Sequence, residues 1–194
     1  MLSTILLRYV YKNENETRVL ILGIAGFLLL IFASMYTHTH YFGVLDARYL
    51  ADFPQMFIWA ENGIVVALLF VLYSGMARYI NGSVSWLQVL GVVLISRVPF
   101  VLFTLLNIKG FISDILIINS VKLNNGIYDF LAFDVAAILL FVAIAVSVIA
   151  TSVYLLYSGF TFTISLNRNK HKALFFMVLL VCEIVSRILI YLLL

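Results

Sequence analysis

Phe175–Leu194 reads FFMVLLVCEIVSRILIYLLL. Sixteen of these twenty residues are plainly apolar, yet Glu183 and Arg187 sit inside the run, four apart. Twenty residues at helical rise cover about 30 Å, the thickness of a bilayer's hydrocarbon core. The stretch therefore reads as a membrane-spanning helix whose two charges need a reason. A charge at the bilayer centre costs about 2.5–3.5 kcal/mol on insertion scales. Glu183 and Arg187 lie one turn apart in the favourable acid-first order, so they share a face of the helix. That face is expected to look into a bundle rather than into lipid.

The whole chain repeats the pattern. Of its 194 residues, 64% are hydrophobic and 11% are charged. Soluble domains run at about 45–50% apolar and about 25% charged. The natural solvent of this chain is lipid. The expected fold class is all-α, a polytopic five-transmembrane-helix bundle forming one membrane domain over residues 1–194. The spans fall at about 19–36, 54–79, 84–106, 130–156 and 173–194, and the fourth can continue to Ser165. Residues 1–18 precede the first span, and MLSTILLRYVYKN within them suits a segment lying flat on the membrane surface. The first span exceeds a usual leader's apolar region and no A-x-A site follows it, so it is read as retained.

Short connections set the orientation. Arg8, Lys12, Arg18, Arg78, Arg168, Lys170 and Lys172 fall on one side, and Arg48, Lys109 and Lys122 on the other. The first side is expected to be cytoplasmic, with the C-terminus opposite. Asn15-Glu16-Thr17 and Asn81-Gly82-Ser83 match the glycosylation pattern but lie on that cytoplasmic side, so neither is expected to be used. Two longer loops face the far side, Thr37–Phe53 and Asn107–Asp129. In the second, Phe111, Ile112, Ile115, Leu116 and Ile118 follow helical spacing and suggest an interfacial helix.

Four ionisable residues lie within spans: Glu61, Arg97, Glu183 and Arg187. Their charges cancel, which suggests pairing. Depth along each helix pairs Arg97 with Glu183 near the centre and Glu61 with Arg187 nearer the outer edge, so the second, third and fifth spans should pack together. The cluster is read first as a structural staple, with a proton or polar path as the competing reading. A staple predicts a dry, partnered cluster. A path predicts a water-accessible cavity reaching Glu183. Pro99 is expected to kink the third span, freeing carbonyls for Arg97 or Ser96. VLYSGMARYI (71–80) and LLYSGFTFTI (155–164) share Leu-Tyr-Ser-Gly, and Gly75 and Gly159 are expected to let helices approach closely.

Little else suggests chemistry. His38-Thr39-His40 could share an ion with Asp46 or Asp52 on an extended loop, but solvated loop residues are the expectation. Cys182 is the single cysteine, which excludes an intrachain disulfide and a cysteine-rich metal site, and it should be buried and inert. Trp59, Trp86, Tyr49, Tyr79 and Tyr191 lie near span ends, as interfacial anchors do. No hydrolase, P-loop, zincin or dinucleotide motif is present. No enzyme activity, catalytic residue, metal or cofactor is expected. The net charge of +3 is scattered over short loops, so nucleic acid is not an expected partner. The expected partners are the lipid bilayer and a membrane protein or a second copy of the chain.

LLFVLYSGMARYINGSVSWLQVLGVVLISRVPFVLF (68–103) resembles the core of the Yip-domain family, the Ypt/Rab-interacting membrane proteins and their prokaryotic relatives. In that family a helix ends in a glycine-bearing polar turn, followed by a lead-in and a proline-containing helix. Here the turn is Asn81-Gly82-Ser83, with one glycine where the family often has two. The lead-in is Trp86–Leu90 and the proline is Pro99. SVYLLYSGFTFTISLNRNKHKALFF (152–176) resembles the family's fourth helix, basic turn and fifth helix. The likeness covers roughly residues 55–190, and ILLRYVYKNENETRVLI (5–21) matches less closely. It implies a non-enzymatic multispan protein acting as a membrane adaptor or organiser, in a prokaryotic cytoplasmic membrane. The long cytosolic segment of eukaryotic members finds no counterpart, so a Rab-binding role is not carried over.

Overall fold

The computed structural model describes residues 16–50, 53–82, 84–127, 129, 131–164, 166 and 168–193. The surface-lying segment expected before Asn15 lies outside them. With no water in the bilayer core, backbone groups must bond within the chain, and a run of apolar residues there has the helix as its simplest solution. The chain is accordingly an all-α bundle. Helix α1 covers Glu16–Thr37, and a small antiparallel hairpin follows with β1 at Thr39–Tyr41 and β2 at Ala47–Tyr49. Helix α2 covers Met56–Ile80, α3 Trp86–Arg97 and α4 Phe100–Leu105. A 3₁₀ turn at Ile108–Gly110 leads to α5, Phe111–Asn124, and then come α6, Ala132–Ile164, and α7, Asn169–Leu193. Five helical stretches are long and apolar enough to cross a membrane, α3 and α4 counting together as Trp86–Leu105.

The bounds fall within a few residues of the spans read from sequence, and the fourth takes the longer extent allowed for it. Helix α6 runs 33 residues, on to Ile164. At helical rise that is about 50 Å, well beyond a hydrocarbon core of about 30 Å. The third span is broken where Pro99 predicts it. Pro99 has no amide hydrogen to give, so the chain turns tightly there. Val98 N donates to the Ile95 carbonyl at 3.1 Å, and Val101 N to the Val98 carbonyl at 3.0 Å. The carbonyl that Pro99 frees, that of Ile95, is thus taken by Val98 N and not by Arg97 or Ser96 as expected. Ser96 Oγ donates to the Val93 carbonyl at 2.7 Å, and the Ser96 carbonyl accepts from Ser152 Oγ of α6 at 2.6 Å.

Burial ranks the spans. In the most apolar window of Trp86–Leu105, 56% is buried, against 6% in α6, so the third span is central and α6 peripheral. Helix α3 lies against α1 through glycine contacts. A Cβ on Gly23 would sit 2.9 Å from Leu94 Cβ, and one on Gly91 would sit 3.0 Å from Val19 Cγ1. At the same end Ser85 Oγ donates to Glu16 Oε2 at 2.7 Å, tying the starts of the two helices. Helices α2, α6 and α7 meet around Tyr73, which stacks on Phe160 at 4.7 Å and donates to the Phe175 carbonyl at 3.1 Å. Helix α5 follows the spacing expected of it, packs on α6 and exposes Phe111, Ile117 and Ile118.

Gly75 corrects the sequence reading. It is exposed, and a Cβ there would meet nothing within 4 Å, so it serves no close approach. Gly159, its counterpart in the second Leu-Tyr-Ser-Gly, is buried. The two copies of the motif therefore sit in unlike surroundings.

Gly91→Leu should destabilise the protein by about 1–3 kcal/mol, the usual cost of overpacking. Gly75→Ala should leave it unchanged or stabilise it by about 0.5–1 kcal/mol through helix entropy. Thermal unfolding of the two variants in detergent would check the contrast, and equal loss in both would contradict the packing described.

Candidate functional site

The four intramembrane charges converge on a segment that hydropathy passes over. Residues 38–50 form a hairpin that turns back into the bundle. Thr39 pairs with Tyr49, His40 with Arg48 and Tyr41 with Ala47. Phe42 N closes the tip on the Asp46 carbonyl at 3.0 Å. Strand β1 and the tip are deeply buried, with His40 and Tyr41 at 0% exposure and Val44 at 3%. Phe42 and Val44 enter the core formed with α2, α3, α6 and α7, while Tyr41 joins Leu30, Phe100 and Phe103 in a second core. Tyr49 is half-buried, stacks on Phe103 at 5.3 Å and donates to its carbonyl at 2.9 Å. That corrects its reading as an interfacial anchor. Trp59, Trp86, Tyr79 and Tyr191 are exposed as anchors are.

A non-helical backbone at this depth needs partners for every polar group. Glu61 of α2 uses both carboxylate oxygens on β1. Its Oε1 meets His40 Nδ1 at 2.8 Å, and its Oε2 accepts from Tyr41 N at 2.9 Å. With Glu61 ionised, the proton of the pair sits on Nδ1. Arg97 of α3 is fully buried and donates through Nη1 to the Val44 carbonyl. Its guanidinium also lies over the rings of Phe100 at 4.3 Å and Tyr41 at 5.1 Å, so aromatic faces carry part of the charge. Burial pushes the Tyr41 hydroxyl up to about 12, so it stays neutral beside them. Glu183 of α7 accepts from Leu45 N at 2.8 Å through Oε2 and from Arg187 Nε at 2.7 Å through Oε1. Arg187 reaches Asp46 at 3.5 Å, and Asp46 also takes Arg48 at 3.0 Å, which raises the Arg48 guanidinium further.

The pairings expected from depth are therefore replaced. Among the described residues, Glu61 pairs with His40 and not with Arg187, and Glu183 pairs with Arg187. Arg97 and Glu183 meet only through the chain between them. The Val44 carbonyl and the Leu45 amide belong to one peptide group. The cation sits at its oxygen end and the anion at its hydrogen end, each at the favourable pole of the peptide dipole. Arg97 does face the interior, as expected. Helix α2 packs against both α3 and α7, and the hairpin tip bridges α3 to α7.

The histidines correct another reading. His40 is not solvated; it is sealed against Glu61 with Phe53 edge-on at 5.2 Å. His38 lies outside the strand at φ 51 and approaches Gln55 Nε2 at 3.5 Å instead. The two rings take different partners, and Asp46 binds arginines, so these three do not form an ion site. Asp52, the other possible ligand, lies outside the described residues. Cys182 is buried, with Sγ 3.9 Å from the Leu68 carbonyl.

Sequence reasoning missed Tyr41, Gly43, Val44 and Leu45, and it offered Asp46 as an ion ligand, whereas its partners are Arg48 and Arg187. The signal was there in YFGVL (41–45), too apolar a run for a solvated turn. Gly43 has a specific reason. A Cβ on it would lie 2.8 Å from Glu183 Oε1 and 2.9 Å from Oε2, inside the carboxylate's contact distance. Comparison with protein-family models, curated proteins and solved structures finds no match.

Gly43→Ala should destabilise the protein by about 1–3 kcal/mol because the carboxylate must move. Adding Glu183→Ala should remove most of that increment, since the clash and the anion go together. A double-mutant cycle read by chemical or thermal unfolding gives the coupling; strictly additive losses would count against the contact.

Proposed function

We propose that the protein is a non-enzymatic, Yip-like integral membrane organiser that works by presenting a rigid helical surface to lipid or to a membrane partner. The observation that carries this reading is the Val44–Leu45 peptide held between Arg97 and Glu183. Each charge holds backbone, as a staple's would, although Arg97 Nε and Nη2 have no hydrogen-bond partner among the described residues and the guanidinium faces the rings of Tyr41 and Phe100. Three surface grooves formed by described residues, of about 330, 310 and 570 Å³, leave Glu61, Arg97 and Glu183 out of their linings. The outer face of α6, with Leu139, Leu140 and Val146 more than 60% exposed, supplies apolar surface for a bilayer or for a second helix. The likeness of residues 68–103 and 152–176 to the Yip domain supports the same role. In this reading the turn between α2 and α3 is cytoplasmic and the hairpin opens towards the far side.

One observation favours the competing path. His40 and Glu61 form a fully buried ionisable pair, and His40 Nε2 has no partner among the described residues. Such a pair could pass a proton.

Arg97→Met and Glu183→Met, alone and together, separate the two readings. Under the organiser reading each single change should cost a few kcal/mol, because one buried charge and one peptide group are left uncompensated. The double change should recover part of the loss, and proteoliposomes of the wild type should show no proton flux above lipid alone. Flux abolished by Glu61→Gln would overturn the organiser reading. Orientation is separately testable, because Cys182 is the only native thiol and is buried. A cysteine at Lys109 should label from outside the cell with an impermeant reagent, and one at Arg168 should label only after permeabilisation.

A further inference from the structure

A second feature lies at the opposite end of the molecule from the hairpin. An open groove of about 570 Å³ runs between the last turns of α2 and the first turns of α7. Lys170, His171 and Tyr79 line the end nearest the start of α7, and Met76, Leu174 and the exposed Met177 line it farther along the helices. Gly75 also lines it, where any side chain would project into open space. From Lys170 to Met177 the helix rises about 10 Å. Over that distance the lining passes from cationic to wholly apolar. A bilayer passes from headgroup to acyl chain on a similar scale.

The charge here is unbalanced. Helix α7 has no acidic residue in its first turn, but Lys170, His171 and Lys172 stand there. That is the positive end of the helix macrodipole, where cations are disfavoured and an anion is welcome. Arg78 stands in the last turn of α2 but lines the neighbouring groove beside α3. Among the described residues no carboxylate pairs with Arg78, Lys170 or Lys172, and His171 Nδ1 is buried without a partner. The local field calls for an anion, and the apolar far end calls for a hydrocarbon chain joined to it.

We propose that this groove seats an anionic phospholipid. Its phosphate lies at Lys170 and His171, and the upper part of one acyl chain lies over Gly75 against Met76, Leu174 and Met177. The inference rests on the membrane reading of the chain and not on its role as an organiser.

The test uses the full chain in nanodiscs of phosphatidylcholine, with and without phosphatidylglycerol, and measures retained lipid by native mass spectrometry and thermal stability in parallel. The wild type should retain phosphatidylglycerol preferentially and melt higher in its presence. Lys170→Gln should weaken that retention about five-fold, the factor matching roughly 1 kcal/mol per basic residue near a membrane surface. Gly75→Leu should fill the groove and cut retention as well, with unfolding in pure phosphatidylcholine unchanged. Lys170 is exposed, so its variant remains informative even if Gly75→Leu fails to fold. Equal phosphatidylglycerol retention in wild type and Lys170→Gln would overturn the proposal. So would inorganic phosphate stabilising the protein as well as the lipid does, because the site would then bind a free anion. Failure here leaves the hairpin cluster and its stability cycle untouched, so the two readings fail separately.

Discussion

A peptide group with a guanidinium at one end and a carboxylate at the other is the contact on which the rest of this bundle turns. Neither charge is tolerable alone at membrane depth, where each costs about 2.5–3.5 kcal/mol on insertion scales. The hairpin tip is no better placed, because unsatisfied backbone groups away from water cost several kcal/mol each. Arg97 and Glu183 remove the tip's debt of hydrogen bonds while the tip removes their isolation. Glu61 repeats the exchange one strand away, giving its two oxygens to Tyr41 N and His40. The interaction is therefore mutual, and removing any one member leaves another stranded.

This arrangement also explains how helices that share no ion pair are fixed relative to one another. Helices α3 and α7 are joined through the tip, and α2 is joined to the same hairpin through Glu61. The hairpin is held on both flanks by aromatic packing, with Phe42 in one core and Tyr41 in the other. The glycines divide in the same spirit. Gly23 and Gly91 let α1 and α3 touch, Gly43 makes room for a carboxylate, and Gly75 opens a groove.

The spans were legible because a run of about 20 apolar residues has a single common reading in lipid. The inward face of the charges was legible too, since an intramembrane charge must find company. The partners were not. Depth arithmetic places Arg97 and Glu183 at one level and joins them directly, because it counts only residues in helices. The peptide of Val44–Leu45 belongs to a loop, and a backbone group leaves no mark in composition. His40 escapes for the same reason, because a position between two spans does not by itself mean contact with water. Gly75 and Gly159 share a motif, yet their surroundings depend on which side of a helix faces a neighbour, which the motif does not encode. Only YFGVL hinted that the loop turns inward.

The bond from Leu45 to Glu183 joins residues 138 apart in the chain. Synthesis runs from the N-terminus, so the elements that hold the hairpin arrive in sequence. Glu61 comes first, 20 residues after Tyr41, and takes the amide of β1. Arg97 follows with the third span and takes the Val44 carbonyl, which puts a buried cation beside a tip not yet balanced. The Leu45 amide waits for α7, and so does the anion that offsets Arg97. Until that helix docks, the Leu45 amide is an open hydrogen-bond donor and Arg97 has no anion at the far end of the peptide it holds. Helix α7 thus closes the hairpin's hydrogen bonds, and a chain in which it has not yet docked differs from a docked one in its local electrostatics as well as in its shape.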